Sequence, residues 1–155
     1  MTRKEQYNQL ILQIAGLIKD ETNLVGILAN VSAALHDTFP ERFFWVGFYL
    51  QENGNMLRLG PFQGSVACYV IPFGKGVCGK AWEEERTLIV PDVEKFPGHI
   101  ACSSLSRSEI VVPMYDDSHT FRGVLDIDST RLNDFNEDDK EGLERIIELL
   151  MAETQ

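Results

Sequence analysis

The sequence predicts an α+β domain in which helices pack against an antiparallel sheet. Three observations predict it. Apolar residues recur at helical spacing at the two ends of the chain, whereas the stretch between holds short runs rich in aromatic and β-branched residues. Successive runs are joined by turn-rich links of hairpin length, and strands that follow one another through hairpins lie antiparallel. At 155 residues the chain is long enough for one domain with a proper core, and residues 1–155 are read as a single domain without repeats, linkers or low-complexity tracts.

From Tyr7, the residues Leu10, Ile11, Ile14, Leu17 and Ile18 repeat at helical spacing. Leu24, Ile27, Leu28, Val31 and Leu35 do so again, giving two amphipathic helices. Pro40 marks a break. Strands are then expected over 43–50 and 56–62, joined at Asn53-Gly54, a pair that tolerates the positive φ of a type I′ turn. A third strand is expected over 67–72. Gly74-Lys75-Gly76 leads into a short helix over 77–85 and a brief strand over 87–90. Residues 91–107, with Pro91, Pro97, Gly98 and three serines, read as a long connection of the kind that tends to be functional. Strands over 109–115 and 120–128 form a second hairpin. Asn136 caps a last helix whose first turn carries Glu137, Asp138 and Asp139, favourable at the positive end of the helix dipole.

Charge narrows the partners. With 24 acidic and 14 basic side chains the net charge is −10, so the surface repels phosphate backbones and anionic headgroups. Neither nucleic acid nor membrane is expected as a partner. The N-terminus lacks a continuous apolar h-region and the longest apolar run falls far short of the ~20 residues that span a bilayer, so the chain reads as cytoplasmic. Three cysteines in a reducing compartment leave metal binding, redox catalysis or burial as their uses.

Those cysteines carry the strongest signal. Cys68, Cys78 and Cys102 each sit in a Gly-rich, turn-like setting, whereas a structural cysteine normally sits in an apolar strand or helix. Gly74 to Gly79 matches G-x-G-x-x-G, but the βαβ context and the later acidic residue of a dinucleotide site are missing. The glycines can instead deliver Cys78 to a helix N-terminus, where free N–H groups favour a thiolate; the alternative is a tight turn with Cys78 buried. Cys102, late in the long connection, reads as the most exposed of the three. His99, three residues earlier, is either an aid to its ionisation or, more simply, a solvated loop residue. A Cys3His zinc site from Cys68, Cys78, Cys102 and His99 has the ligand count but not the close C-x₂₋₄-C spacing, so no metal is expected.

Asp126 and Asp128 alternate with Leu125 and Ile127, so their carboxylates share one strand face, and Glu109 begins the partner strand. On a solvent face these are ordinary polar residues. In a cavity they would attract a cationic amine, and crowding would raise one pKa enough to make a general acid. Trp45 and Tyr49 also share a face, for which half-buried packing is the plain reading.

Taken together, these words resemble the GAF-domain free methionine-(R)-sulfoxide reductases. The resemblance runs through 44–50 (Phe-Trp-Val-Gly-Phe-Tyr-Leu), 60–64 (Gly-Pro-Phe-Gln-Gly) on to Cys68, and 76–79 (Gly-Val-Cys-Gly). It continues through 98–102 (Gly-His-Ile-Ala-Cys), 108–113 (Ser-Glu-Ile-Val-Val-Pro) and 123–129 (Gly-Val-Leu-Asp-Ile-Asp-Ser). Ser103 departs from the acidic residue often found after the loop cysteine.

The resemblance implies a GAF-like six-stranded antiparallel sheet with helices packed on one face and a loop-covered ligand pocket on the other. It implies that Cys102 attacks the sulfoxide, that Cys68 resolves it with Cys78 as second resolving thiol, and that Trp45, Tyr49, Glu109, Asp126 and Asp128 line the substrate site. Glu109 is the expected acid, with Asp126 and Asp128 as alternatives, and Arg107 with nearby backbone N–H groups is a candidate for the substrate carboxylate. The implied partners are free methionine sulfoxide and thioredoxin as external thiol reductant, with no bound cofactor. Self-association as a homodimer is suggested by the apolar N-terminal helices. Resolution by Cys68 requires its Cα to come within about 7 Å of that of Cys102. The rival reading is a GAF module that senses a metabolite without turning it over, for which a chain of 155 residues has no output domain attached.

Overall fold

The computed structural model describes residues 1–100 and 102–154. Its first helix, α1 (Arg3–Ile18), starts on a capping box in which the Thr2 hydroxyl accepts from the Glu5 N–H and the Glu5 carboxylate accepts in return. Next, α2 (Leu24–Thr38) buries Ile27, Leu28, Val31 and Leu35 of the stripe its spacing predicts, while Leu24 at its first position stays exposed. At the other end α4 (Glu137–Glu153) is capped by Asn136, which accepts from the N–H groups of Asp138 and Asp139. Asp139 is fully buried. It accepts from the Tyr7 hydroxyl at 2.6 Å and pairs with Arg3 at 2.8 Å and Arg42 at 2.9 Å, which fastens the two ends of the chain together.

Between these helices lie β1 (Trp45–Glu52), β2 (Met56–Gln63), β3 (Val70–Pro72), α3 (Gly76–Glu84), β4 (Leu88–Val90), β5 (Ser108–Tyr115) and β6 (Phe121–Ser129). The strands form one sheet in the order β3-β2-β1-β6-β5-β4, every neighbouring pair antiparallel. This is the α+β, six-stranded GAF architecture that the resemblance implies. Strand alternation divides the side chains: Val46, Phe48, Ile110, Val112, Leu125 and Ile127 join one core with α1, α2 and α4. Trp45, Tyr49, Val111 and Val124 face the opposite way. Burying each aliphatic side chain of the first core is worth about 1.5–3 kcal/mol.

The helices are not all on one face. Three share the large core, whereas α3 lies across the opposite face, where Val77, Cys78 and Ala81 bury against Val111 and Val124. Its apolar stripe is too short to complete the large core, but it roofs one end of the pocket side. Other differences are local. The link between β1 and β2 is three residues long, Glu52 pairing with Met56, and Gly54 takes φ +78 while Asn53 keeps a negative φ, so it is not a two-residue type I′ turn. Strand β3 starts at Val70 rather than at residue 67, because the preceding residues run over the pocket instead of along the ladder. The 91–107 connection holds a turn of 3₁₀ helix, Val93–Lys95. Both its ends are tied down, Val93 N–H donating to the Arg107 carbonyl and Arg107 N–H to the Ser129 carbonyl.

Among the described residues no helix is long and apolar enough to cross a membrane. Leu12, Leu17 and Val25 on the first two helices stay exposed, and the expected self-association would rest on them.

Candidate active site

The glycines around Cys78 are used for a close backbone crossing. Gly74 and Gly76 take φ +73 and +60, and the Gly74 N–H donates to the Gly79 carbonyl at 3.1 Å. A Cβ on Gly79 would lie 2.6 Å from the Pro72 carbonyl oxygen and 3.0 Å from the Gly74 nitrogen. An N–H that a phosphate-binding loop would offer to its ligand is thus spent inside the turn, and no βαβ unit follows. Gly79→Ala is expected to cost about 1–3 kcal/mol by overpacking backbone that cannot yield, read as a lowered urea midpoint at unchanged m-value.

Cys78 does occupy the first turn of α3, but it is only 2% exposed. Burial first, then the charges of Asp126, Glu109 and Asp128, pushes its thiol well above the usual range. The expectation of a thiolate therefore gives way to the buried reading, since desolvation among carboxyl groups outweighs the helix end.

Strand register gathers the carboxyl groups. Glu109 on β5 stands opposite Asp128 on β6, and Asp126 follows two residues earlier on the same face, opposite Gly47 of β1. That face is a cavity wall, not solvent: Glu109 is 5% and Asp126 6% exposed. Burial, followed by the charges of Asp126 and Asp128, holds Glu109 well above the ordinary carboxyl range. Asp128 is raised as strongly, by burial and then by Asp126. Asp126 is raised by burial too, but hydrogen bonds from Glu109 and Cys78 and the nearness of His99 oppose the rise. The arrangement is one carboxylate accepting from two groups that keep their protons. One oxygen of Asp126, Oδ1, has no hydrogen-bond partner among the described residues.

His99 is not the solvated loop residue that the sequence suggests. It lines the cavity with Nε2 3.7 Å from Glu109 Oε1, and burial lowers its pKa. Nothing in the sequence marks this, because a loop gives no periodicity from which to read a side chain's direction.

Trp45 and Tyr49 form an aromatic wall, their ring centroids 5.9 Å apart. Both polar tips hold the covering loop: the indole N–H donates to the Ser65 carbonyl at 3.0 Å and the Tyr49 hydroxyl to the Cys68 carbonyl at 2.9 Å. They are buried rather than half-buried. The space bounded by the lining residues, open solvent at its mouth included, is about 540 Å³.

The other two cysteines meet at the rim. Cys68, held by Tyr49, and Cys102 form a disulfide with Cα atoms 5.5 Å apart, inside the reach resolution requires. In this state the Cys3His zinc set is unavailable. A different trio, Cys78, Glu109 and Asp126, brings one potential ligand atom each to within 4.8 Å of the others. Arg107 is exposed and is not among the lining residues, whereas Ser103 and Ser106 are. Val66, Ile71 and Ile100 also line the site, residues whose chemistry gives a sequence reader no signal.

Comparison with known proteins agrees with this geometry. The model of the GAF domain matches residues 21–152. A Dictyostelium discoideum protein described as GAF domain-containing protein A is 57% identical over 149 residues, covering 96% of this chain and 92% of that protein. The free methionine-R-sulfoxide reductase of Saccharomyces cerevisiae is 43% identical over 155 residues, covering 97% of this chain and 86% of its own. The X-ray structure of the free methionine-R-sulfoxide reductase of Neisseria meningitidis in complex with its substrate superposes with a TM-score of 0.94 at 46% identity, covering 99% of this chain and 90% of that one.

Proposed function

The chain belongs to the GAF-domain free methionine-(R)-sulfoxide reductase family, and from that premise we propose that it reduces free L-methionine (R)-sulfoxide to L-methionine in the cytoplasm. The observation that carries the reading is the Cys68–Cys102 disulfide at the rim of a cavity walled by Trp45 and floored by Glu109, Asp126 and Asp128.

The reaction starts from the reduced thiols. The substrate ammonium turns toward the Asp126 carboxylate, whose free Oδ1 can accept from it, and the S-methyl group packs against Trp45. Cys102, as thiolate, attacks the sulfoxide sulfur while Glu109 gives its proton to the sulfoxide oxygen. The attack forms a bond between the Cys102 sulfur and the substrate sulfur; the protonated oxygen then passes from the substrate sulfur to Cys102 as that S–S bond breaks, methionine leaves with the electron pair, and Cys102 is left as sulfenic acid. Cys68 attacks that sulfur, water departs, and the disulfide forms. Thioredoxin, a dithiol, reopens it by thiol exchange at the half-exposed bridge, with no bound cofactor. Cys78 serves as second resolving thiol, limited by the burial that keeps it protonated.

Two experiments test the reading. Incubation with free methionine sulfoxide and dithiothreitol should release methionine from the R epimer and not from the S epimer; tight binding without turnover would point to a sensor instead. Cys68→Ser should release one methionine per chain and then stall with thioredoxin, leaving a sulfenic acid on Cys102 that dimedone traps. Unchanged multi-turnover rates in that variant would transfer the resolving role to Cys78.

A further inference from the structure

Cys78 remains only partly used by this chemistry. It is the one free cysteine, buried in the apolar cluster beneath the site, yet its sulfur also stands against the carboxyl groups of Glu109 and Asp126. We propose that Cys78, Glu109 and Asp126 form a binding site for a thiophilic divalent cation, of which Zn²⁺ is the type, and that its occupation blocks the pocket.

Four observations carry this. The three ligand atoms already lie within 4.8 Å of one another. In a tetrahedral zinc site a sulfur and two carboxylate oxygens stand about 3.5 Å apart, so each has only about 1 Å to move. All three side chains are more than nine-tenths buried, at 2%, 5% and 6% exposure, and all line the same cavity, Glu109 and Asp126 fixed by strand register and Cys78 by the first turn of α3. Asp126 Oδ1 is buried with no hydrogen-bond partner among the described residues, so it has a lone pair to give a cation. Finally, three protein ligands leave a fourth position toward the pocket, beside which His99 stands with Nε2 3.7 Å from Glu109 Oε1.

The ligand set also selects the ion. A thiolate favours Zn²⁺, Cd²⁺ or Co²⁺, whereas Mg²⁺ and Ca²⁺ demand six or more oxygen ligands that this site does not offer. A dication at the centre replaces the shared protons as the positive charge that Asp126 needs. It would also occupy the place where the substrate ammonium and the transferable proton belong, so metal and turnover exclude each other.

The test uses the protein in its disulfide form without added thiol, because Cys68 and Cys102 are then unavailable and Cys78 is the single thiol that can ligate. Titration with Co²⁺ should bring up a near-ultraviolet thiolate-to-cobalt charge-transfer band that saturates at one equivalent and is bleached by Zn²⁺. Absence of the band, or its growth without saturation, would overturn the proposal. Asp126→Asn, which keeps the shape and the thiol, should weaken Zn²⁺ binding at least about tenfold by calorimetry. Unchanged affinity there would equally refute it. No turnover enters either measurement, so failure of the metal site leaves the reductase reading standing.

Discussion

Cys102→Ser should release no methionine above the blank, in single-turnover as in multi-turnover assays, whether dithiothreitol or thioredoxin is the reductant. The substitution nearly preserves shape, so the loss is chemical. A hydroxyl is not ionised near neutral pH, and an alkoxide could not take the sulfoxide oxygen as a recyclable acid, whereas a thiolate is nucleophilic and its sulfenic acid condenses with a second thiol. The same variant carries a stability signature. Cys68 and Cys102 are 34 residues apart, and closing a loop of that length stabilises the folded chain by about 4 kcal/mol on the chain-entropy account. The wild type should therefore melt higher oxidised than reduced, while Cys102→Ser melts at one temperature under both conditions. Full activity in the variant would remove Cys102 from the attacking role.

Local rules carried most of the fold. The helical stripes of α1, α2 and α4 and the hairpins β1-β2 and β5-β6 follow from spacing and turn residues, because both signals are local to the element that carries them. Where several long-range partners compete, the reading was less sharp. Residues 67–69 have strand-like composition, but Ala67 lines the pocket and the Cys68 carbonyl accepts from the Tyr49 hydroxyl, while the Tyr69 carbonyl meets β2, accepting from the Leu59 N–H. Helix α3 could not be assigned a side of the sheet from its own nine residues.

The site was legible in its chemistry and not in its electrostatics. Alternation puts Asp126 and Asp128 on one face, but whether that face meets water or a cavity depends on loops from three other parts of the chain. Cys78 shows the same limit. Its helix-end position is a local fact, while the burial and the three carboxyl groups that raise its pKa arrive from β5 and β6. His99 enters the site through a loop without periodicity, and only the folded chain brings it beside Glu109.

Glu109→Gln separates the acid from the shape of its site. The amide keeps a donor for Asp126, so substrate affinity should change little, whereas kcat should fall about 10²–10⁴-fold because no proton reaches the departing oxygen. Burial, then the charges of Asp126 and Asp128, hold Glu109 above the ordinary carboxyl range, which favours its protonated form. Wild-type activity should decline as pH rises through that elevated value, a limb the variant lacks. Stability obeys the same shift. Between the ordinary and the elevated pKa the folded chain binds a proton that the unfolded chain has released, so the stabilising contribution is full at low pH and lost as pH rises through the folded value. An amide, which never ionises, escapes that loss. Relative to wild type, Glu109→Gln should therefore gain in urea midpoint as the pH is raised, while losing activity at every pH. A variant that retains wild-type kcat would pass the acid's role to Asp128, the other carboxyl group held strongly in its protonated form.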